Sequence, residues 1–466
     1  MRTIIAQCTP IGSGSLAVLR LSGPDSIAIA DRIGRLASGQ LLCNQAANTV
    51  HYGRVVKQQP ASATAPALSE TVDQVVFTLF RAPRSFTGAD TVEISCHNNQ
   101  LIVGHIIALA LQAGASLAQR GEFSAQAFLN RKLDLTQAEA LNELIHAQTA
   151  AALQKSLAQL QGSLSQWLAG LEAQLMQALA LTEASFEFLD EELEFGNEIR
   201  QILATVTADL IQLQQQFSQD QQLRTGIKIT LIGPPNAGKS ALFNALLQQE
   251  RAIVADQPGT TRDTIEAGIT CGEYWVTFID TAGLRVTTEK LEQLGIARSY
   301  AAAQAADLIL LVIDGTRPLT TAEQTEYQAF MPQYGQKMIV VLNKCDLVSN
   351  LPANGLNIPP MLPQLAVSAL QQTNLAALKT LISSKIQLLL GQNASPFLVN
   401  QRHQAVISEL LRQLPVAQAQ LAAAEIPYEL LAVNLNQALQ TLVELSGKSI
   451  SEQAMDRIFR EFCVGK

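Results

Sequence analysis

The chain has 466 residues and a formal net charge of −8 at pH 7. This length exceeds what one hydrophobic core serves, so we expect two or three domains. The acidic balance excludes a chain-wide basic surface, and any nucleic acid must meet a local patch or a partner subunit. The six cysteines have neither CxxC nor zinc-ligand spacing, which is typical of a reduced protein in the cytoplasm.

The N-terminal segment and the most apolar stretch argue against export and against a membrane span. "MRTIIAQCTPIGSGS" reaches Gln7 after a few apolar residues, too few for the apolar core of a signal peptide. "LIVGHIIALALQAGASLAQ" carries no formal charge, but His105, Gln112, Ser116 and Gln119 dilute its hydrophobicity. We interpret this stretch as a buried helix and expect no membrane association.

The composition changes three times along the chain. In residues 1–117, runs such as "LAVLRLSG" and "DQVVFTLF" predict a small α+β domain. Residues 118–222 are rich in Ala, Leu, Gln and Glu with helical periodicity. Residues 223–386 alternate short aliphatic strands with helical stretches, which predicts a parallel sheet with crossover helices. Helical composition returns in residues 387–466, so the α/β unit is inserted into a discontinuous helical domain.

The segment "GPPNAGKS" predicts a phosphate-binding loop. Gly233 and Gly238 allow the tight turn whose amides face phosphate oxygens. Lys239 reaches the β and γ phosphates, and Ser240 supplies a hydroxyl to Mg²⁺. The loop follows the strand "IKITLI" and precedes the helix "ALFNALL", the context that distinguishes it from an ordinary glycine-rich turn.

Two segments after the loop offer ligands for the Mg²⁺ and the γ-phosphate. In "DTAG", Asp280 can hold the Mg²⁺ shell and Gly283 can offer an amide to the γ-phosphate. In "GTTRD", either Thr260 or Thr261 could complete the Mg²⁺ shell. These segments indicate that the loop serves a nucleoside triphosphate.

The nucleotide base is selected by "NKCD". Asp346 can accept hydrogen bonds from the N1 and 2-amino donors of guanine, a pair that adenine lacks. "SAL" at 368–370 is short, and it becomes meaningful through its order after "NKCD". The five motifs together predict GTP.

The residue that orients the attacking water is not evident from these motifs. Ras-type enzymes use a Gln after "DTAG", but Leu284 stands there and cannot hydrogen-bond water. Downstream, Glu289 and Glu292 are both plausible, and the residues alone do not choose between them.

With these motifs and the C-terminal "FCVGK" in place, the chain resembles the MnmE family of tRNA modification GTPases over nearly its whole length. "TPIGSGSLAVLRLSG", "RSFTGADTVEISCH" and "GEFSAQAFLNRKLDLTQAEA" are similar to the family's folate-binding and dimer-forming region. The resemblance implies a homodimer of multidomain chains. Each chain would have an N-terminal α+β folate-binding domain, a discontinuous α-helical domain and an inserted Ras-like α/β P-loop GTPase domain.

The resemblance also implies the reaction. The enzyme would hydrolyse GTP and work with a flavin-dependent partner, MnmG, which carries the FAD. Together they would add an aminomethyl or carboxymethylaminomethyl group at C5 of the wobble uridine of certain tRNAs, with 5,10-methylene-tetrahydrofolate as the carbon donor. The alternative is a GTP-dependent binding switch, such as a ribosome-assembly GTPase, which would share the central motifs but lack "GEFSAQAFLNRKLDL" and "FCVGK".

Site residues follow from matching positions. The resemblance selects Glu292 over Glu289 as the activating glutamate. The positions that it implies for folate are Arg20, Glu93, Lys132 and Lys466, and those for Mg²⁺ are Ser240 and Thr261. Motifs and resemblance together imply GTP contacts at Asn236, Ala237, Gly238, Lys239, Ser240, Ala241, Ala255, Asp256, Gln257, Pro258, Gly259, Thr260, Thr261, Asp280, Thr281, Ala282, Gly283, Asn343, Lys344, Cys345, Asp346, Ser368, Ala369 and Leu370.

Potassium is the further ion that the resemblance implies. It would be held by the Asn236 side chain and by oxygens of Ala255, Gln257 and Thr260, and it would promote dimerisation of the GTPase domain. From the motif alone, Asn236 is equally explained as a cap of its own turn. Cys463 has two interpretations as well, a functional thiol near the folate or a buried thiol near a helix end.

Two segments depart from the family pattern. The chain has "CHNN" where the family usually has "CHGG", and "GSGS" where it usually has "GRGG". We expect the side chains of Asn98 and Asn99 to crowd a close approach of the backbone to the folate.

Overall fold

The computed structural model describes residues 2–12, 14–58, 69–147, 149–187, 195–248, 268–272, 274–279, 301–348, 358–390, 396–462 and 464–465. The chain divides into two compact units. One comprises residues 1–142, 160–203 and 412–466, and the other comprises 143–159 and 204–411.

The N-terminal region forms a mainly antiparallel sheet with two helices packed against one face. Its elements are β1 (Ile4–Gln7), β2 (Leu16–Ser22), α1 (Ser26–Ile33), β3 (Gly34–Leu36), β4 (Thr49–Gln58), β5 (Ser69–Phe80), β6 (Thr91–His97), α2 (Gln100–Gln112) and β7 (Ser116–Leu117). The strand order in the described residues is β3-β4-β5-β6-β2-β1-β7, and β1 and β7 are parallel. Residues of β2 alternate: Leu19 and Leu21 enter the core beneath α1 and α2, whereas Arg20 projects to the other face. The sequence prediction of an α+β region is confirmed.

Helix α2 corresponds to the apolar stretch that we expected to be a buried helix. It is a helix, but only one face is buried, at Val103, Ile106 and Ala110, while Leu101 is 74% exposed. The predicted helix is present, and its burial is limited to one stripe because a helix lying on one side of a sheet buries only the residues that face the sheet. Across the described residues, every helix falls short of the length or the hydrophobicity needed to cross a membrane.

The helical regions before and after the α/β unit are long. They comprise α3 (Glu122–Leu129), α4 (Leu135–His146), α5 (Ala150–Leu160), α6 (Ser163–Glu187) and α7 (Gly196–Thr225) before it, and α11 (Gln401–Leu421), α12 (Tyr428–Ser446) and α13 (Glu452–Phe459) after it. Helices α6 and α12 pack together. Their buried residues are Leu164, Leu168, Leu171, Leu175 and Ala178 on α6, and Leu431, Leu435, Ala438, Leu442 and Leu445 on α12. Alternating spacings of four and three on both helices form the apolar seam of coiled-coil packing.

The α/β unit is a six-stranded sheet in the described residues. Its elements are β8 (Ile227–Ile232), α8 (Lys239–Gln248), β9 (Gly268–Cys271), β10 (Tyr274–Phe278), β11 (Leu308–Asp314), α9 (Thr321–Tyr334), β12 (Met338–Asn343), β13 (Gln364–Ala366) and α10 (Leu375–Leu390). The strand order is β13-β12-β11-β8-β10-β9, and only β9 runs antiparallel to its neighbour. Apolar clusters cover both faces, and every residue of β11 is buried. The carboxyl ends of β8, β11 and β12 therefore meet at one edge, where open α/β sheets bind ligands.

Candidate functional site

The phosphate loop 233–238 lies at that edge, between β8 and α8. A Cβ on Gly233, whose φ is 151°, would lie 2.0 Å from the Val312 carbonyl oxygen. A Cβ on Gly238, whose φ is 89°, would lie 2.2 Å from Nδ2 of Asn343. At both positions the neighbouring strands leave no room for a side chain, and the positive φ also favours glycine. Asn236, between them, has a positive φ of 60° as well.

Lys239 closes the loop from within. Its Nζ donates to the carbonyl oxygens of Gly233 at 2.7 Å and Pro234 at 2.8 Å. Burial lowers the pKa of its ammonium group. Helix α8 begins at Lys239, so the ammonium and the amides of the helix N-terminus converge on the same place, and Ser240 is exposed beside them. This arrangement suits an anion with several oxygens.

Asn343 joins three motifs that are far apart in the sequence. Its side chain is buried, its Nδ2 donates to the Ala237 carbonyl at 3.0 Å, and its Oδ1 accepts from the amide of Ala369 at 3.1 Å. One amide side chain thus connects the phosphate loop, "NKCD" and "SAL". Sequence reasoning placed Asn343 among the GTP contacts without this connecting role, which depends on the parallel pairing of β11 with β8 and β12.

The residues predicted to select the base lie at the same edge. Asp346 is exposed in a 3-10 turn, Cys345–Leu347, whose first amide donates to the Val367 carbonyl at 3.1 Å. Ser368 is buried and its hydroxyl accepts from the Gln371 amide at 3.0 Å, while Leu370 is 80% exposed. The carboxylate of Asp346 is therefore available to a ligand, and the "SAL" segment is a rigid turn next to it.

A second cluster of predicted residues lies in the N-terminal region. Arg20 and Glu93 are register partners on β2 and β6, and Nε and Nη2 of Arg20 lie 2.9 and 2.8 Å from Oε1 of Glu93. The guanidinium carbon is 5.0 Å from the ring centroid of Phe86 and 5.5 Å from that of Phe123. The result is a fixed charge pair between aromatic rings, with one carboxylate oxygen not engaged by that contact.

Lys132 packs against the segment that follows Phe86, one of the two aromatic residues of this cluster. The methylene groups of Lys132 pack at Gly88, where an added Cβ would be 3.1 Å from Lys132 Cγ. Asn130 Nδ2 donates to the Thr87 carbonyl at 2.6 Å, which ties the end of α3 to the segment that follows Phe86. Three elements thus bring Arg20, Glu93 and Lys132 into one region.

The C-terminal tail packs on the end of β1. Gly465 is buried with a φ of 94°, and an added Cβ would lie 2.4 Å from the Gln7 carbonyl oxygen. The Cys8 thiol donates to the Gly465 carbonyl at 3.1 Å. Because Ala6 pairs with Arg20 across β1 and β2, the tail ends one strand away from the Arg20 pair.

Two protein-family models match the chain: the GTP-binding protein TrmE N-terminus over residues 3–132, and the MnmE helical domain over residues 135–463. The tRNA modification GTPase MnmE of Moorella thermoacetica is 38% identical over 476 residues, covering 100% of this chain and 99% of the relative. The chain belongs to the MnmE family of tRNA modification GTPases. Its MnmE relative from Chloroflexus aurantiacus is 39% identical over 470 residues, with 100% and 99% coverage.

Membership of the MnmE family identifies the protein as a GTPase of tRNA modification, and the ribosome-assembly alternative falls away. The match extends through the flanking regions by which we distinguished the two hypotheses, including the N-terminal segments. The multidomain fold class expected from the sequence is confirmed by the two family models and by the sheet that carries the phosphate loop.

Several predicted MnmE-type site residues lie outside the described residues. They are Ala255, Asp256, Gln257, Pro258, Gly259, Thr260, Thr261, Asp280, Thr281, Ala282, Gly283, Glu292, Cys463 and Lys466. Among the described residues, no three His, Cys, Asp or Glu side chains are grouped so as to hold a metal ion. The predicted Mg²⁺ and K⁺ ligands that are described, Ser240 and Asn236, offer a hydroxyl and an amide.

The two departures from the MnmE pattern contact each other. Nδ2 of Asn98 donates to the Gly12 carbonyl at 3.0 Å, so "CHNN" holds the "GSGS" loop. Asn99 caps α2 by accepting from the Leu101 amide at 2.9 Å. Both side chains serve local structure, and the predicted crowding of the folate by them stays a prediction.

Proposed function

We propose that this GTPase acts with an FAD-containing partner of the MnmG type. The pair would add an aminomethyl or carboxymethylaminomethyl group at C5 of the wobble uridine of certain tRNAs, in the cytoplasm. The observation that carries the proposal is the Arg20–Glu93 pair between two aromatic rings, at 2.8 Å, in the region matched by the TrmE N-terminal model.

The residues of the N-terminal cluster fit a reduced folate. A flat heterocycle is complementary to the rings of Phe86 and Phe123, and an amino group on that heterocycle is complementary to the Glu93 carboxylate. Lys132 and Lys466 supply cations for the carboxylates of a folate. When bound, 5,10-methylene-tetrahydrofolate supplies the one-carbon unit. Cys463 is the candidate thiol of this region.

We propose the following roles for residues of the nucleotide site. Lys239 and the amides of the loop bind the phosphates, Ser240 and Thr261 hold Mg²⁺, and Asp346 selects guanine. Glu292 orients the attacking water in place of the Gln that Ras-type enzymes use.

We propose that Asn236 is a K⁺ ligand, as the family resemblance implies. Its side chain is exposed at the phosphate loop, where an amide oxygen is accessible to an ion. We propose that the amide oxygen of Asn236 and oxygens of Ala255, Gln257 and Thr260 bind K⁺. That ion compensates charge between the β and γ phosphates, since no motif nominates an arginine finger, and it promotes face-to-face dimerisation of the GTPase domain.

We propose that the protein is a homodimer and that four segments of each chain form its domains. Residues 1–117 bind folate and dimerise, 118–222 and 387–466 form the helical domain, and 223–386 form the GTPase domain. Helix α7 runs through the first helical boundary to Thr225, and α10 runs through the second to Leu390. Both ends of the GTPase domain therefore connect to continuous helix.

The test uses nucleoside analysis of tRNA from a deletion strain carrying the wild-type protein, Arg20→Ala or Arg2→Ala. Arg2 forms an exposed ion pair with Glu122 at 3.1 Å in the same region, so Arg2→Ala is the matched control. We expect Arg20→Ala to lose the wobble modification and reduced-folate binding while GTP hydrolysis stays near wild type. Normal wobble nucleosides in the deletion strain, with defective ribosomal particles, would overturn the proposal.

A further inference from the structure

Asp314 ends β11 next to the nucleotide site, and no sequence motif singles it out. Its Oδ1 accepts from the amide and the hydroxyl of Thr316, at 2.9 and 2.6 Å, and its Oδ2 accepts from Nζ of Lys344 at 2.6 Å. Burial acts to raise the pKa of the Asp314 carboxyl, but the hydrogen bonds from Lys344 and Thr316 outweigh it and the pKa lies below its ordinary value. The carboxylate is thus charged and held in one orientation.

Lys344 is constrained at both ends. Its backbone has a φ of 65°, the left-handed region that residues with a side chain seldom adopt. The preceding residue, Asn343, is fixed by its own bonds, including the Gly315 amide that donates to its carbonyl at 2.8 Å. At the far end the ammonium is tied to Asp314, and the lysine side chain is 31% exposed. The methylene stem is therefore held in place at the edge where Asp346 emerges.

We propose that Asp314 is a positioning residue of the nucleotide site: it holds Lys344 so that the lysine stem forms one wall of the slot for the guanine. The inference rests on the base-selecting role proposed for Asp346. Methylene stems of lysine cover flat apolar surfaces while the charged end is solvated or paired. Because the pair is only partly buried, its main consequence here is to fix the direction of the lysine side chain.

The test compares Asp314→Asn with Glu323→Gln. Asparagine keeps the shape and the bonds from Thr316 but removes the charge that holds Lys344. Glu323 pairs with Arg317 at 2.8 Å in the same domain, so Glu323→Gln removes a comparable ion pair that includes neither Asp314 nor Lys344. We expect Asp314→Asn to weaken GDP and GTP binding roughly tenfold through faster dissociation, with the rate at saturating GTP changed less than about twofold. Glu323→Gln should leave both affinities unchanged.

Epistasis with Lys344 separates positioning from general destabilisation. In a Lys344→Met background, which keeps most of the stem, Asp314→Asn should cause no further loss of affinity. Asp314→Glu, which keeps the charge, should recover part of the loss. A full additional loss in the Lys344→Met background, or unchanged affinity in Asp314→Asn, would overturn the proposal.

Asp346→Asn, measured in parallel, distinguishes this proposal from the one on which it rests. If Asp346→Asn loses guanine preference while Asp314→Asn binds GTP normally, only the role of Asp314 is wrong. If Asp346→Asn keeps its preference for guanine, the proposed base selection is wrong as well.

Discussion

The phosphate loop and the Arg20–Glu93 cluster are built in opposite ways. The loop is a short continuous segment whose backbone groups are predicted to bind phosphate, and its glycines are required because Val312 and Asn343 leave no room for a Cβ at 233 or 238. The Arg20 cluster uses charged and aromatic side chains from separate elements, joined by strand register. A backbone site is therefore sensitive to added atoms, and a side-chain site is sensitive to removed ones.

The largest expected effect is the loss of nucleotide affinity in Gly238→Ala, which tests whether the phosphate loop is sensitive to added atoms. The added methyl group meets Asn343 Nδ2 at 2.2 Å, and φ stays in the left-handed region. We expect nucleotide affinity to fall roughly 100-fold or more because the loop must move, while folate binding is retained. Fluorescent-nucleotide titration measures the change. Gly104→Ala is the control, since no atom lies within 4 Å of its added Cβ; unchanged affinity in Gly238→Ala would show that the loop tolerates a side chain.

Glu292→Ala tests whether GTP hydrolysis at the nucleotide site depends on one carboxylate side chain. We expect the rate of GTP hydrolysis at saturation to fall roughly 100-fold, because general-base and water-orienting groups contribute on this order. Nucleotide affinity should stay close to wild type. Single-turnover hydrolysis with Glu289→Ala as the matched control decides the assignment, and an inactive Glu289→Ala beside an active Glu292→Ala would reverse it.

The dependence of GTP hydrolysis on potassium tests whether the phosphate loop also uses a side chain, that of Asn236, to bind a cation. If Asn236 holds K⁺ at the phosphate loop, hydrolysis in KCl should exceed hydrolysis in NaCl at the same ionic strength by roughly tenfold. Asn236→Ala should abolish the difference. Dimerisation of the GTPase domain, measured by light scattering with a transition-state mimic, should follow the same ion order; equal rates in the two salts would contradict the K⁺ site.

The smallest effect concerns the Arg317–Glu323 ion pair, whose residues are not predicted to contact a ligand. A hydrogen bond from Arg317 lowers the pKa of Glu323 to about 2. Because this folded-state pKa lies below the unfolded value of about 4.3, the pair stabilises the protein above that pH and the contribution is lost as pH falls toward 2. Since the Arg317 side chain is 39% exposed, we expect only about 1 kcal/mol.

Urea unfolding of Glu323→Gln between about pH 6 and pH 3 measures this contribution. The difference from wild type should shrink as the pH falls. Asp456→Asn serves as the control, because the Asp456–Arg460 pair is 58% and 72% exposed. A difference that grows toward low pH would contradict the assignment.

The sequence alone determined the elements whose signal is local. The phosphate loop was predictable because its spacing, its glycines and its flanking strand and helix are all contiguous. Strand β11 was predictable because a strand buried on both faces is apolar along most of its length, here from Leu308 to Ile313. The helical regions were equally plain from their periodicity. The fold class followed from the order of these signals along the chain.

Only the tertiary structure decided which side chains meet. Asn343 forms hydrogen bonds with Ala237 and Ala369, and Asp314 forms an ion pair with Lys344. These contacts join residues that are 26 to 106 positions apart in the sequence. The one-sided burial of α2 and the contact of Cys8 with Gly465 also depend on how elements pack. Local patterns encode backbone conformation and the polarity of each face. A contact between distant residues depends on strand register and helix docking, which are set by the packing of the whole core.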